Sequence, residues 1–474
     1  MENKEKLEGY KFWEKLGRPT KLVAPMVDQS ELAWRMLSRK YGAELCYTPM
    51  LHASVFLRDP QYRIDGLASC PEDRPLIVQF CAYDPDILTK SALLAQDHCD
   101  AVDINLGCPQ TIAKRGNYGA FLGENWELVT KLIKACHEKL SVPVTCKIRI
   151  FTDVEKTVQY AKMIERAGCQ LLTVHGRTKE MKGPMTGLAS WEHIKAVKDA
   201  VKIPVFANGN IQYKADVDRC INQTGVDGVM IAEGNLHDPC LFVGKKTIIW
   251  EIALEYLQCA VKYPCPASYA RGHVFKICHH GLQRHTRARD LLASSKDIQD
   301  MKTAVEVLRD ICTQSCGVGK ENSVSDDALP MPHWFCQPYV RPAPKPKENR
   351  KERPSSTDSG EISKKKLKKM MKRCMKNTSL DLEGLDSAEK VKKLSKIIEA
   401  KPNKVTYDIC VKCGNPSSTR CVFHLCKPCC KIRAKEVYVF CTVHRNFVPK
   451  TKQGNLATTD ANLGKEQTVM DHIT

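Results

Sequence analysis

The 474-residue chain lacks any run of about 18 apolar residues, the length needed to cross a bilayer, so no membrane span is expected. The opening residues MENKEKLEGYKFWEKLG lack the apolar core of a secretory signal. Their glutamates also argue against a mitochondrial presequence. The expected location is therefore the cytoplasm and nucleus, a reducing setting. There, 24 cysteines mean packing, metal binding or catalysis rather than disulfides. A glycine-rich first turn is missing as well. The first strand-like run ends in Ala24-Pro25-Met26, which disfavours an open dinucleotide-binding sheet.

Length predicts more than one domain. The formal net charge is +19, and +11 of it falls in residues 341–404. A polyanionic partner and a solvated basic tail both fit such an excess. Short apolar runs rich in β-branched residues occur at 22–25, 45–48, 76–80, 101–106, 144–150, 171–175, 204–208 and 228–232. They read as parallel strands buried on both faces. Helical periods lie between most of them, at 31–41, 86–96, 126–138, 154–166, 191–200 and 213–222. Eight such strands over roughly 215 residues predict an α/β chain with a (β/α)8 TIM barrel, with a doubly wound sheet as the alternative.

The C-terminal strand ends of a barrel form its active face. Here those ends carry Pro25-Met26, Gln79, Asn105-Leu106-Gly107-Cys108-Pro109, Lys147 and Arg149, His175-Gly176-Arg177-Thr178, Asn208-Gly209-Asn210 and Ala232-Glu233-Gly234. Gly116 and Gly119 bound the loop after Cys108, so a thiol would sit on a loop able to close over a ligand. Residues 245–320 look helical. Val274, Ile277, Cys278 and Leu282 take the buried face. His273, Lys276, His280, Arg284 and Arg287 form a basic stripe, suited to a phosphate backbone or to solvent. The expected domains are a barrel over 1–244, an all-helical domain over 245–335, a basic disordered linker over 336–405, a Cys-rich zinc module over 406–448 and a disordered tail over 449–474. The lysine-rich run at 364–373 reads as a nuclear-import signal or an RNA-contacting arm.

Near the C-terminus, Cys410-x2-Cys413, Cys421, Cys426-x2-Cys429, Cys430 and Cys441-x2-His444 follow one another. Ligands two residues apart aim both sulfurs at one ion, which suits tetrahedral Zn2+. Eight candidates could hold two ions, interleaved or not; a single four-ligand site and His424 as a spare remain open. Such a module has too few apolar residues to fold well without metal.

Residues 20–320 resemble the tRNA-dihydrouridine synthases, and within them the eukaryotic enzymes acting on positions 16 and 17 of the D-loop. The resemblance rests on Ala24-Pro25-Met26, Asn105-Leu106-Gly107-Cys108-Pro109, the Gly116 to Gly119 loop, Lys147-Ile148-Arg149, His175-Gly176-Arg177-Thr178, Asn208-Gly209-Asn210 and the Arg271, His273, Lys276, His279, His280 spacing. It implies an FMN-dependent reductase that takes electrons from NADPH or NADH. Hydride would pass from the flavin to C6 of a uracil, and Cys108 would protonate C5. A thiol is a better proton source than water. A stacked uridine must be flipped out to reach such a mouth.

The resemblance further places Pro25, Met26, Gln79, Lys147, His175, Asn208, Gly209, Asn210, Glu233 and Gly234 at the flavin. It places Asn105, Arg149, Arg177, Lys179, Arg271, Lys276 and His280 at the RNA substrate. The chain departs from the family at Ala232-Glu233-Gly234, where many members carry Gly-Arg-Gly; Glu233 should then offer its amide and point its carboxylate away. The expected partner is tRNA, with no membrane and a monomeric protein. Two other readings compete: a Schiff-base barrel enzyme using Lys147, and an RNA-binding protein whose barrel is only a scaffold.

Overall fold

A computed structural model of the chain describes residues 6–315, 329–340, 409–413, 417, 421–436 and 444. The basic tract at 364–373 and the tail after residue 448 lie outside them. The chain divides into two compact units, Met1–Glu348 and Asn349–Thr474.

The first unit is built on eight parallel strands: β1 Lys21–Val23, β2 Leu45–Tyr47, β3 Leu76–Cys81, β4 Ala101–Leu106, β5 Val144–Arg149, β6 Leu171–His175, β7 Val205–Asn208 and β8 Gly228–Ile231. Each pairs with the next, and β8 pairs back onto β1, closing the barrel. The expected runs fall on these strands. A two-residue strand, Leu51–His52, adds to the end of β3. The helices at Leu32–Lys40, Pro85–Ala95, Trp126–Lys139, Val154–Arg166, Trp191–Ala200 and Lys214–Thr224 cover the outside, as their periodicity predicts.

Strand alternation sorts the side chains. Val78, Phe80, Val102, Ile104, Cys146, Ile148, Leu172, Val174, Val205 and Val229 join the core between barrel and helices. The alternate set points into the barrel. Leu22, Leu45, Ile77, Ala101, Leu171, Phe206 and Met230 form a separate inner core, completed by Phe12 and Leu16 from the first helix, Gly9–Lys15, and the turn after it. That N-terminal plug has no counterpart among the expected elements. Its helix is only seven residues long, so its periodicity is faint.

Helices Ile249–Lys262, Ala267–Ile277, His279–Arg284, Thr286–Ser294 and Ile298–Ser315 follow the barrel. Val274, Ile277, Cys278 and Leu282 are buried as expected. The basic stripe is not continuous. The chain breaks between helices at Cys278 and again at His285. His273 is fully buried, which corrects its place on the polar face. Its ring stacks on Trp34 at 4.0 Å between centroids, and its Nε2 lies 3.0 Å from the Glu31 carboxylate. Glu31 also accepts a 2.9 Å bond from the Tyr256 hydroxyl. This buried cluster fastens the helical region to the barrel helix Leu32–Lys40.

The segment 329–340 returns to the same unit. Ile248 and Phe335 form an antiparallel bridge, the Ile249 amide donates to the Trp334 carbonyl at 3.0 Å, and the Cys336 amide donates to the Thr247 carbonyl at 2.9 Å.

Candidate active site and cysteine cluster

The inward set of β3 to β7 becomes polar toward the strand ends. Gln79, Asp103, Asn105, Thr145, Lys147, Thr173, His175 and Asn208 occupy alternate positions. Register makes them neighbours: Gln79 pairs with Asp103, Asn105 with Lys147, and His175 with Asn208.

Asp103 is fully buried and anchors a chain of bonds. Its carboxylate accepts from Thr145 Oγ1 at 2.6 Å and from Gln79 Nε2 at 2.8 Å. Burial pushes its pKa up to about 6, against the pull of those two donors and Lys147. Gln79 Oε1 then accepts from Asn105 Nδ2 at 2.8 Å. That leaves the Asn105 carbonyl oxygen facing the loop, where it accepts from the amides of Gly107 at 3.1 Å and Cys108 at 2.9 Å. A buried carboxylate thereby fixes, through two side-chain amides, the turn that carries the thiol. Asp103 opens the stretch that leads to Cys108, but nothing in the sequence assigns it or Thr145 a role. Their signal is the alternation itself, because both share parity with Gln79, Asn105 and Lys147.

The rest of the thiol loop is held just as closely. The Ala120 amide donates to the Cys108 carbonyl at 3.1 Å. Gly119 has φ +67°, and a Cβ there would lie 2.7 Å from the Cys108 carbonyl oxygen, so only glycine fits. Arg149 Nε donates to the Gly107 carbonyl at 2.9 Å, and its Nη1 donates to Thr178 at 2.7 Å and Met181 at 3.2 Å. Lys182 donates to the Pro109 carbonyl at 2.6 Å. Arg149 and Lys182 thus tie the thiol loop to the loop after β6. Nothing in the sequence singles out Lys182 for this task. Cys108 itself is half-buried and packs against the small buried cluster of Cys81, Ala113 and Tyr118.

Lys147 donates to Asn208 Oδ1 at 3.0 Å, while Asn208 Nδ2 donates to the Met230 carbonyl at 2.8 Å. Burial, then Arg149, pushes the Lys147 ammonium down to about 8. His175 is held neutral: burial and the surrounding Lys147, Arg149 and Arg177 all drive its pKa well below the usual value. As a neutral ring it accepts from Arg177 Nη1, 3.1 Å from its Nε2. Arg177 also donates to the Gly187 carbonyl at 3.1 Å and to Asn210 Oδ1 at 3.0 Å.

A cavity of about 1100 Å³ reaches this layer at His175 and Asn208, while Pro25, Met26, Gln79, Asn105, Cys108 and Lys147 are not in its lining. It is lined by Arg149, His175 and Arg177, by 208–210 after β7 and by 232–234 after β8, with Pro109 and Gln110 at one edge. Its floor allows no extra atoms. Gly209 has φ +118° and a Cβ there would meet Ala189 at 2.6 Å; a Cβ on Gly234 would meet the Ile211 carbonyl oxygen at 2.6 Å. Pro25 lies just past the end of β1, and Met26 packs against both apolar cores. Glu233 opens the short helix Glu233–His237, and its charge acts on Lys276.

Other residues expected at an RNA substrate sit apart from that lining. Lys179 pairs with Glu124 at 3.6 Å, Arg271 donates to the Ser295 carbonyl at 2.7 Å, and His280 lies 3.0 Å from the Pro338 carbonyl. Lys276 is half-buried.

In the second unit the cysteines separate into two groups. Cys410, Cys413, Cys426 and Cys429 bring their sulfurs within 4.8 Å of one another, and the ligand atoms of Cys421, Cys430 and His444 do the same. The two groups interleave along the chain. Cys441 lies outside the described residues, and His424 joins neither group.

A closed parallel barrel with a pinned thiol loop, a buried lysine and a glycine-floored cavity defines a barrel enzyme with its site at the strand C-termini. The Dihydrouridine synthase (Dus) family profile matches residues 22–328, and the chain belongs to that family. A rat protein named tRNA-dihydrouridine(16/17) synthase (NAD(P)(+))-like is 53% identical over 94% of this chain and 99% of its own length. The Saccharomyces cerevisiae tRNA-dihydrouridine(16/17) synthase (NAD(P)(+)) is 47% identical over 71% of this chain and 87% of its own. A human tRNA-dihydrouridine(20a/20b) synthase (NAD(P)+)-like protein is 37% identical over 60% and 91%. The protein is an NAD(P)H-dependent oxidoreductase of the dihydrouridine synthase type, and hydride transfer through a flavin is the chemistry of that family.

Proposed function

We propose that this chain reduces the C5–C6 double bond of uridines at positions 16 and 17 of the tRNA D-loop, with FMN as its resident cofactor and NADPH or NADH as reductant. The observation that carries the reading is the bonded chain from Asp103 through Gln79 and Asn105 to Cys108. It fixes the turn whose next residue, Pro109, lines the cavity suited to a phosphorylated ligand. The positions 16 and 17 come from the rat and yeast relatives, which share more of this chain than the 20a/20b protein does.

The residues fit FMN. The backbone at Gly209, Asn210, Glu233 and Gly234 would hold its phosphate, where side-chain atoms would block the approach. Arg177, whose Nη1 is 3.5 Å from a Cβ built on Gly209, supplies the positive charge there. This accommodates Glu233, whose carboxylate answers to Lys276 instead. Lys147 would lie near the ring, where positive charge favours the reduced form. Gln79 spends one amide hydrogen on Asp103 and keeps the other for the ring edge. When bound, the flavin supplies hydride to C6 of the uracil. Cys108 Sγ gives its proton to C5, and the Asn105 and Arg149 contacts hold its loop still meanwhile. Zn2+ held by Cys410, Cys413, Cys426 and Cys429, and a second ion by Cys421, Cys430, His444 and a further ligand such as Cys441, would fold the second unit. That unit and the basic tract would add affinity for tRNA.

Cys108→Ala is the direct test. Dihydrouridine formation should fall ~10²–10⁴-fold, the usual worth of a general acid, while tRNA affinity stays within about twofold. Turnover at the parental rate would remove Cys108 from the reaction.

A further inference from the structure

Outside the barrel mouth and the cysteine-rich unit, one more set of soft ligands converges among the described residues. His285 Nε2 and His333 Nε2 face each other at 3.1 Å, and Cys312 Sγ lies 3.9 Å from the same His333 nitrogen. All three ligand atoms fall within 4.8 Å of one another. Cys312 is fully buried, His333 is 3% exposed and His285 is half-buried. They come from three places in the chain. His285 stands between helices His279–Arg284 and Thr286–Ser294, Cys312 is on helix Ile298–Ser315, and His333 is on the returning segment.

We propose that His285, Cys312 and His333 bind a Zn2+ ion that clamps the returning segment 329–340 onto the helical region. The spacing is that of a coordination shell. Zn–N of about 2.0–2.1 Å and Zn–S of about 2.3 Å put tetrahedral nitrogen pairs near ~3.3 Å and nitrogen–sulfur pairs near ~3.6 Å. The observed 3.1 and 3.9 Å bracket those values. Two imidazoles and a thiolate form a borderline-soft donor set that suits zinc and disfavours magnesium or calcium. The described residues supply three corners of the tetrahedron.

The position of His333 gives the ion a task. The residue next to it, Trp334, accepts from the Ile249 amide, and Phe335 bridges to Ile248. Further on, Tyr339 stacks on His237 at 5.5 Å, and His280 lies against the Pro338 carbonyl. Pro330, Pro338, Tyr339 and Val340 then form one wall of the 1100 Å³ cavity. A metal at His333 therefore holds a wall of the substrate mouth in place, from residues distinct from those proposed to touch flavin or uracil.

Zinc content of the full-length protein, measured by elemental mass spectrometry, tests this. Cys312→Ser and His333→Ala should each lose about one zinc equivalent per chain relative to the parent, while Cys410→Ser lowers the content of the other cluster independently. Parental zinc content in both His333→Ala and Cys312→Ser would overturn the assignment. If those variants do not fold, the parent protein decides the matter. Anomalous scattering at the zinc edge in its crystals should show a peak between the three side chains. A map without that peak would show a hydrogen-bonded His–His–Cys cluster and end the proposal.

Discussion

Around Phe206 and Met230 the barrel buries aliphatic and aromatic side chains on both faces of its strands. Around Cys410 and Cys426 the second unit buries five cysteines and Leu425, with Phe423 packed against them. The first core gains roughly 25 cal/mol per Å² of apolar surface removed from water and needs no cofactor to do so. Among the described residues the second buries only Leu425 and part of Phe423 besides its cysteines, and thiols brought within 4.8 Å of one another suit metal ligation. The barrel can therefore devote its polar residues to chemistry. In the second unit, on the proposed reading, the metal ligands would themselves hold the fold.

Chelation should separate the two regions most sharply. Structural zinc in small modules contributes ~10–16 kcal/mol, so a strong chelator should abolish hydrogen-exchange protection across 409–436 while the barrel strands keep theirs. At the barrel unit the expected change is limited to the segment around His333. Protection of 409–436 that survives complete metal removal would break the comparison.

The next largest effect belongs to the contact between barrel and helical region. Glu31→Gln should lower stability by ~1.5–3 kcal/mol at pH 7, as expected for weakening buried hydrogen bonds to a charged group. Burial alone would raise the Glu31 pKa, but His273 opposes it through charge and hydrogen bonding, and the net shift is downward. A depressed carboxylate contributes stability above its unfolded pKa and loses it as pH falls through the folded value. The gap between parent and variant in urea melts should therefore be full at pH 7 and close as pH drops below ~4.5. A gap that stays constant down to pH 3 would remove the charge from this contact.

Truncation after Val340 should spare the barrel and weaken tRNA binding by ~10-fold near ~0.1 M salt, with a shallower salt dependence. The cut belongs there because Cys336, Gln337 and Tyr339 still pack on the first unit. Equal affinity across a salt series would assign the second unit to some partner other than tRNA.

The smallest effect is a proton count. Burial, then Arg149, pushes Lys147 down to about 8, below its ordinary 10.5. An anionic cofactor beside it favours the ammonium. Binding of FMN to flavin-free protein at pH 8.5 should take up part of a proton at this site, and at pH 6.5 none. Calorimetry in two buffers of different ionisation enthalpy reads that difference, and Lys147→Met should remove it.

Much of the fold and part of the site are legible in the order of the amino acids. Runs of β-branched residues at regular intervals place eight strands, because a strand buried on both faces has no polar alternative. Paired cysteines two residues apart mark candidate metal ligands, because a tight turn can aim both sulfurs at one ion. The candidate residues at the strand ends stand out for a related reason: they interrupt an otherwise apolar pattern. His273 is the counterexample, because helical spacing shows which residues share a face, and not what that face meets. Here the partners are Trp34 and Glu31, more than two hundred residues earlier.

The amino-acid sequence alone determined the strands, their covering helices, the thiol loop and the cysteine pairs, since each follows from local periodicity or short spacing. Only the tertiary structure decided that Asp103 steadies Cys108 through two amides, that Arg149 and Lys182 tie down the same loop, and that His285, Cys312 and His333 meet. Those contacts join residues far apart in the chain, and their geometry exists only once the barrel has closed and the last segment has folded back.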